Sequence, residues 1–206
     1  MTNDTLFNQL KHPNPHLRER AMWELAETRD ENSIPRLLGM LGEPNVDYRR
    51  SAVKALGVIG TDSVQPVVEV LQTTKDVTVK ASCVKAMAQV AYNHPGESFP
   101  DAGLQALQTA LHEDNPVVHI ATAMALGAIG VPALDILTQA LKATENPALA
   151  IAVLNAISSI NDPRSATALQ ALTQDESLDP YVRESAISAL SRFEQMNKIQ
   201  ELKYKN

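Results

Sequence analysis

The residue types that do covalent or metal chemistry are sparse in this chain. Its single cysteine, Cys83, excludes an intramolecular disulfide and any multi-thiolate zinc site, and fits a reducing compartment. His12 and His16 have helical i, i+4 spacing, but Pro13 and Pro15 interrupt the segment, so no metal site is expected there. The glycines of GVIG (Gly57 to Gly60) and GAIG (Gly127 to Gly130) superficially resemble phosphate-cradling loops. No strand precedes them, and both stand at the close of a helical pattern, where a left-handed residue ends a helix. A nucleophile elbow and a paired-carboxylate motif are also missing from the sequence. What remains is binding chemistry. Arg18, Arg49 and Lys80 recur at regular spacing, Arg50 doubles Arg49 beside Tyr48, and Trp23, Tyr48, Tyr92, His94 and Phe99 supply rings. Guanidinium groups form charge-assisted pairs and rings stack, so these eight positions (Arg18, Trp23, Tyr48, Arg49, Arg50, Tyr92, His94 and Phe99) are the candidates for binding.

The elements that must position them follow from a repeat. Leu10, Leu41, Leu71, Leu111, Leu141 and Leu172 end similar patterns at spacings of 31, 30, 40, 30 and 31 residues. After each comes a short polar turn and a new helix, as in NVDYRRSAVKALGVIG and DPYVRESAISALSRF. Aligned on Arg18, Arg49, Lys80, His119, Ala150 and Arg183, the positions three and seven residues on are apolar or small and share one helical face. Cys83 holds a slot filled elsewhere by Ala, which predicts a buried structural thiol rather than a reactive one. A second helix follows in segments such as VQPVVEVL and LDILTQAL. The expectation is an all-α solenoid of about six helix pairs over residues 1–206, with repeats at 11–41, 42–71, 72–111, 112–141, 142–172 and an incomplete 173–206. Ala and Leu, 27 and 23 in number against 4% aromatics, suit closely stacked helices better than strands.

Slots one and five residues past the alignment position hold charges in several repeats and so face solvent. Trp23, Ile120, Met124 and Ile151 occupy those slots instead, and residues 115–134 carry no charge. An apolar face that the chain itself does not cover predicts a protein partner at Ile120, Met124 and Ile151. The two prolines and the turn glycines of that stretch argue against a membrane span. The long interval before Leu111 contains an insertion of about nine residues near 92–100, YNHPGESFP, and insertions in solenoids often mark the binding face. Net charge is −6, concentrated as −6 over residues 101–178 against −1 over 1–100. That balance disfavours a nucleic-acid-binding solenoid of the DNA-repair kind.

The repeat signature in NVDYRRSAVKALGVIG and DPYVRESAISAL resembles the HEAT-like repeats of the phycobilisome lyase class. The opening TLFNQLKHPNPHLRERAMWELAETRDENSIPRLL, the repeat order and the length are similar to the smaller, F-type subunits of E/F phycocyanobilin lyases. The resemblance implies a HEAT-like solenoid working as a heterodimer with a larger E-type subunit. Its implied reaction attaches phycocyanobilin, as substrate and with no other cofactor, through a thioether to a cysteine of the phycocyanin alpha subunit, and it makes the eight binding candidates above, from Arg18 to Phe99, candidates for holding the bilin. A cytoplasmic location beside thylakoid-attached phycobilisomes goes with it. Isomerising relatives carry Asn-His-Cys-Gln-Gly-Asn; Asn93, His94, Pro95 and Gly96 lack the cysteine, which argues against bilin isomerisation. The same repeats also serve noncatalytic adaptors and phycobilisome-disassembly factors, so that reading stands as the alternative.

Overall fold

The structure, a computed structural model, describes residues 2–176 and 178–204. Helices begin where the polar turns end. Side-chain oxygens of Asn14, Asn45, Asp76, Asn115, Asn146 and Asp162 accept hydrogen bonds from backbone N–H groups of the following turn. They satisfy donors that a first helical turn leaves without partners. Pro15, Pro116, Pro147 and Pro163 follow four of these caps, where a missing N–H is harmless.

Two compact units result, divided between Ala110 and Leu111. The first holds α1 (Asn3–Gln9), α2 (Pro15–Thr28), α3 (Ser33–Gly39), α4 (Val46–Ile59), α5 (Val64–Thr73), α6 (Val77–Asn93) and α7 (Asp101–Ala110). In it α2, α4 and α6 pack side by side as one layer, with α3, α5 and α7 forming a second against them. The second unit holds α8 (Pro116–Ile129), α9 (Leu134–Ala143), α10 (Pro147–Ser159), α11 (Pro163–Thr173) and α12 (Pro180–Tyr204). There α8, α10 and α12 pack in succession, backed by α9 and α11. No strand occurs among the described residues, and the all-α, helix-pair architecture expected from the repeat is what the chain adopts. Lys205 and Asn206, the end of the expected tail, lie outside the described residues.

The core sits between the layers. Leu25, Leu56, Met87, Leu126 and Ile157, five of the six positions seven past the alignment slot, have no exposed surface, while the sixth, Leu190, is half-buried. Each such side chain contributes about 1.5–3 kcal/mol of burial. Ala21, Ala52, Cys83, Thr122, Val153 and Ala186, three past it, are equally buried.

Two expectations need correction. Gly60 and Gly130 do end α4 and α8 in the left-handed region, at φ 89° and 84°. Gly57 and Gly127 instead lie inside those helices, where neighbouring helices come close: a Cβ on Gly57 would stand 2.3 Å from Gln89 Cβ. The insertion is also shorter than its sequence suggests. With no glycine to stop it, α6 runs through Tyr92 and Asn93 and ends at His94, just before Pro95.

Candidate functional site

Two of the recurring cations, Arg18 and Arg49, are tied up by their own turns. Arg18 Nη1 donates to the carbonyls of His12 at 2.7 Å and Pro13 at 3.0 Å. Arg49 Nη1 donates to the carbonyl of Glu43, and His119 Nδ1 lies 3.2 Å from that of Glu113. In each case the group binds a carbonyl six residues upstream, which pins the turn between repeats. At Arg18, Arg49 and His119 the slot therefore serves the turn through a backbone carbonyl.

Arg50 behaves differently from Arg49 although adjacent. On a helix, successive side chains point about 100° apart, and Arg50 is exposed with no hydrogen bond or ion pair among the described residues. Lys54 and Lys85 are equally exposed and unpaired. Because α2, α4 and α6 are neighbours, Trp23, Arg50, Lys54 and Lys85 fall on one face of the first unit. Trp23 is 49% exposed there. Tyr48 is half-buried and carries the Lys11 ammonium 4.4 Å from its ring centroid. Lys54 and Lys85 were absent from the sequence-derived candidates, although their slot, five past the alignment position, already marked them as solvent-facing.

The insertion does not form the expected ring-lined pocket. His94 is held between two acceptors, its Nε2 3.1 Å from the Val58 carbonyl and its Nδ1 3.1 Å from Glu97 Oε1. The imidazole also lies against Gly60, where a Cβ would come within 2.9 Å of it. Phe99 is buried against Gly103. Both residues clamp the loop onto the helices, and Tyr92 alone of the three is open to solvent.

In the second unit, Ile120, Met124 and Ile151 do converge. With Ala148, Ala152 and Asn155 they line a groove of about 490 Å³ between α8 and α10. A second cavity of about 390 Å³ shares Ile151 and Asn155 with it and is otherwise lined from α12, by residues including Tyr181, Glu184, Ser188 and Arg192. The two make a trough that runs from aliphatic on α8 to polar on α12. Arg192 Nη2 donates to Asn155 Oδ1 at 2.5 Å, while Glu184 has no partner among the described residues. Glu184 and Ser188 fill the same solvent-facing slots as Ile120 and Met124, which is the signal by which repeat alignment identifies this end of the trough.

Covalent chemistry finds little support. Cys83 is fully buried, and burial pushes its thiol up to about 12. Among the described residues no cluster of three or more His, Cys, Asp or Glu side chains is placed to hold a metal ion. No described helix is long and apolar enough to cross a membrane.

Residues 3–88 and 103–191 match the family of HEAT repeats, leaving out the insertion and its flanks. Phycocyanin operon protein Z of Pseudanabaena tenuis (strain PCC 7409) is 49% identical over 194 residues, 94% of this chain and 96% of that protein. Bilin biosynthesis protein CpeZ of Synechococcus sp. (strain WH8020) is 42% identical over 103 residues, 50% of this chain and 55% of its own. Among solved structures, the complex of CpcE and CpcF of phycocyanin lyase from Nostoc sp. PCC7120 superposes with a TM-score of 0.50 at 18% identity, covering 75% of this chain and 96% of the matched one. The Escherichia coli protein YibA gives 0.54 at 20% identity, over 93% of this chain and 70% of its own. At such identities the structural likeness is one of fold. The relative matched from end to end is thus a Z protein, and the E/F complex is related through its architecture. The chain belongs to the HEAT-repeat family and, within it, to the family of phycocyanin operon protein Z.

Proposed function

We propose that this chain is one subunit of a bilin lyase that attaches phycocyanobilin through a thioether to a cysteine of the phycocyanin alpha subunit, working with a larger, E-type HEAT-like partner in the cytoplasm beside the phycobilisome. The observation that carries the reading is the end-to-end likeness to phycocyanin operon protein Z. The half-length likeness to a bilin biosynthesis protein supports it, and the fold shared with a chain of the CpcE–CpcF complex fits work in a pair.

The side chains suit such a task. Adding a thiol across an exocyclic carbon–carbon double bond forms one S–C bond, consumes one π bond and delivers the thiol proton to the neighbouring carbon, with no oxidant required. The reacting atoms belong to the bilin and the acceptor cysteine. The lyase then works by holding the chromophore in a reactive pose and shielding it from water. A buried, protonated Cys83 takes no part as a carrier. The face bearing Trp23, Arg50, Lys54 and Lys85 is open and cationic, and exposed Trp and Arg are the types that anchor protein interfaces. We assign it to protein contact with an acidic surface, in place of the bilin role that the sequence suggested.

Coexpression of this chain with the E-type partner, phycocyanobilin and the phycocyanin alpha apoprotein tests the proposal. A fluorescent adduct that survives denaturing electrophoresis and forms only when this chain is present is the expected result. An adduct that forms equally well without it refutes the lyase role. Binding to phycocyanin without any adduct favours the noncatalytic adaptor.

A further inference from the structure

We infer that the trough across α8, α10 and α12 is the seat of the open-chain tetrapyrrole, with its rings along Ile120, Met124 and Ile151 and a propionate on Arg192. The inference rests on the bilin reading above and names the site that reading lacks. Small-molecule sites are concave, largely apolar and of roughly 300–1,000 Å³, with a few polar groups that fix orientation. The cavity of about 490 Å³, lined mostly by aliphatic side chains, meets that description, and the adjoining one of about 390 Å³ supplies the polar groups.

The trough's lining offers an aliphatic surface for rings at one end and charged and polar groups at the other. At the α8 end, Ala148 and Ala152 leave room for a flat ring to approach α10, flanked by the aliphatic side chains of Ile120 and Ile151. Met124 stands 68% exposed at the same edge. A flexible thioether packs well on a conjugated ring. At the α12 end, Arg192 spends one donor on Asn155 and has no carboxylate partner among the described residues. The rest of its fork is available to a propionate in a charge-assisted pair. Glu184, unpaired in the same cavity, offers an acceptor to pyrrole N–H groups.

The charge pattern also argues against a partner helix as the occupant. The trough's lining holds a single cation, Arg192, and a single carboxylate, Glu184, both at the α12 end. An amphipathic helix laid across the groove would need an apolar stripe throughout. The trough instead turns polar at Tyr181, Glu184 and Arg192.

The test titrates the purified full-length chain with phycocyanobilin and reads the chromophore's induced circular dichroism and absorption shift. Met124→Lys and Arg192→Gln alter trough-lining side chains, and far-ultraviolet circular dichroism confirms that each variant is folded. A folded wild type that binds, with each variant weakened about tenfold or more, is the expected result. Wild-type binding that both variants retain overturns the seat while leaving the bilin reading intact. Retained bilin binding together with lost copurification of the E-type partner makes the trough a protein-docking groove and equally overturns the inference. A wild type that leaves phycocyanobilin free overturns the seat and the chromophore-holding role together.

Discussion

Gly57 and Gly127 occupy the same place in two repeats, yet substitution by alanine is expected to be costly at the first and nearly neutral at the second. At Gly57 the added Cβ would lie 2.3 Å from Gln89 Cβ and 2.9 Å from the Gln89 carbonyl carbon, short of the 3.4 Å where ordinary contact begins by about 1.1 Å. Backbone atoms cannot rotate away, so α4 and α6 must separate. Overpacking of that kind costs roughly 1–3 kcal/mol, and rigid neighbours place this case near the top of the range. Alanine returns up to about 1 kcal/mol as the better helix former. The net loss is about 2 kcal/mol. At Gly127 the nearest atom is Ala156 Cβ at 3.0 Å, so a shift of about 0.4 Å suffices. Cost and helix-propensity gain then nearly cancel, leaving stability within about 1 kcal/mol of wild type. Thermal unfolding followed by circular dichroism checks both. With roughly 2–4 °C per kcal/mol for a chain of this size, Gly57→Ala melts about 4–8 °C lower and Gly127→Ala stays within about 4 °C. Equal melting shifts in the two variants, or a stabilised Gly57→Ala, would show that helix proximity does not explain Gly57.

The neighbouring arginines make a second matched pair: Arg49→Ala loses the bond to the Glu43 carbonyl and should cost about 1–3 kcal/mol in urea unfolding, whereas Arg50→Ala stays within about 0.5 kcal/mol. Similar losses in the two variants contradict that division. Burial raises the Cys83 thiol from an ordinary 9.0 to about 12, so its contribution is complete below pH 9 and is lost as pH rises from there toward 12. Wild type should therefore lose stability relative to Cys83→Ala by up to about 1.4 kcal/mol per pH unit in that window, and parallel pH profiles would disprove it. His94→Ala removes contacts to the Val58 carbonyl and Glu97, and should raise amide exchange around Glu97 and Gly60 by an amount equivalent to about 1–2 kcal/mol. Unchanged exchange there would mean that the clamp contributes nothing.

Much of this architecture is local and therefore readable from the chain. Asn or Asp followed by proline starts a helix wherever it occurs, because the cap satisfies donors of the same turn. The period near 31 residues places Ala21, Ala52, Cys83 and their equivalents on the buried face, because helix geometry alone returns them to one side. Solvent-facing slots were legible on the same grounds, and with them the anomaly of Ile120, Met124 and Ile151.

What those slots face is a different question, since the facing atoms come from a helix some thirty residues away. Gly57 and Gly60 look alike in GVIG, but one admits Gln89 of α6 and the other ends α4 at positive φ. Phe99 and His94 read as ligand-lining rings until Gly103, Val58 and Glu97 are seen to hold them. Arg192 gains its meaning only beside Asn155, on an adjacent helix and 37 residues earlier. Periodicity, acting within each helix, determined the helices and their buried faces. Packing between helices, which brings distant backbone carbonyls, carboxylates and small side chains up to those faces, decided which polar residues serve the fold and which are left for a ligand.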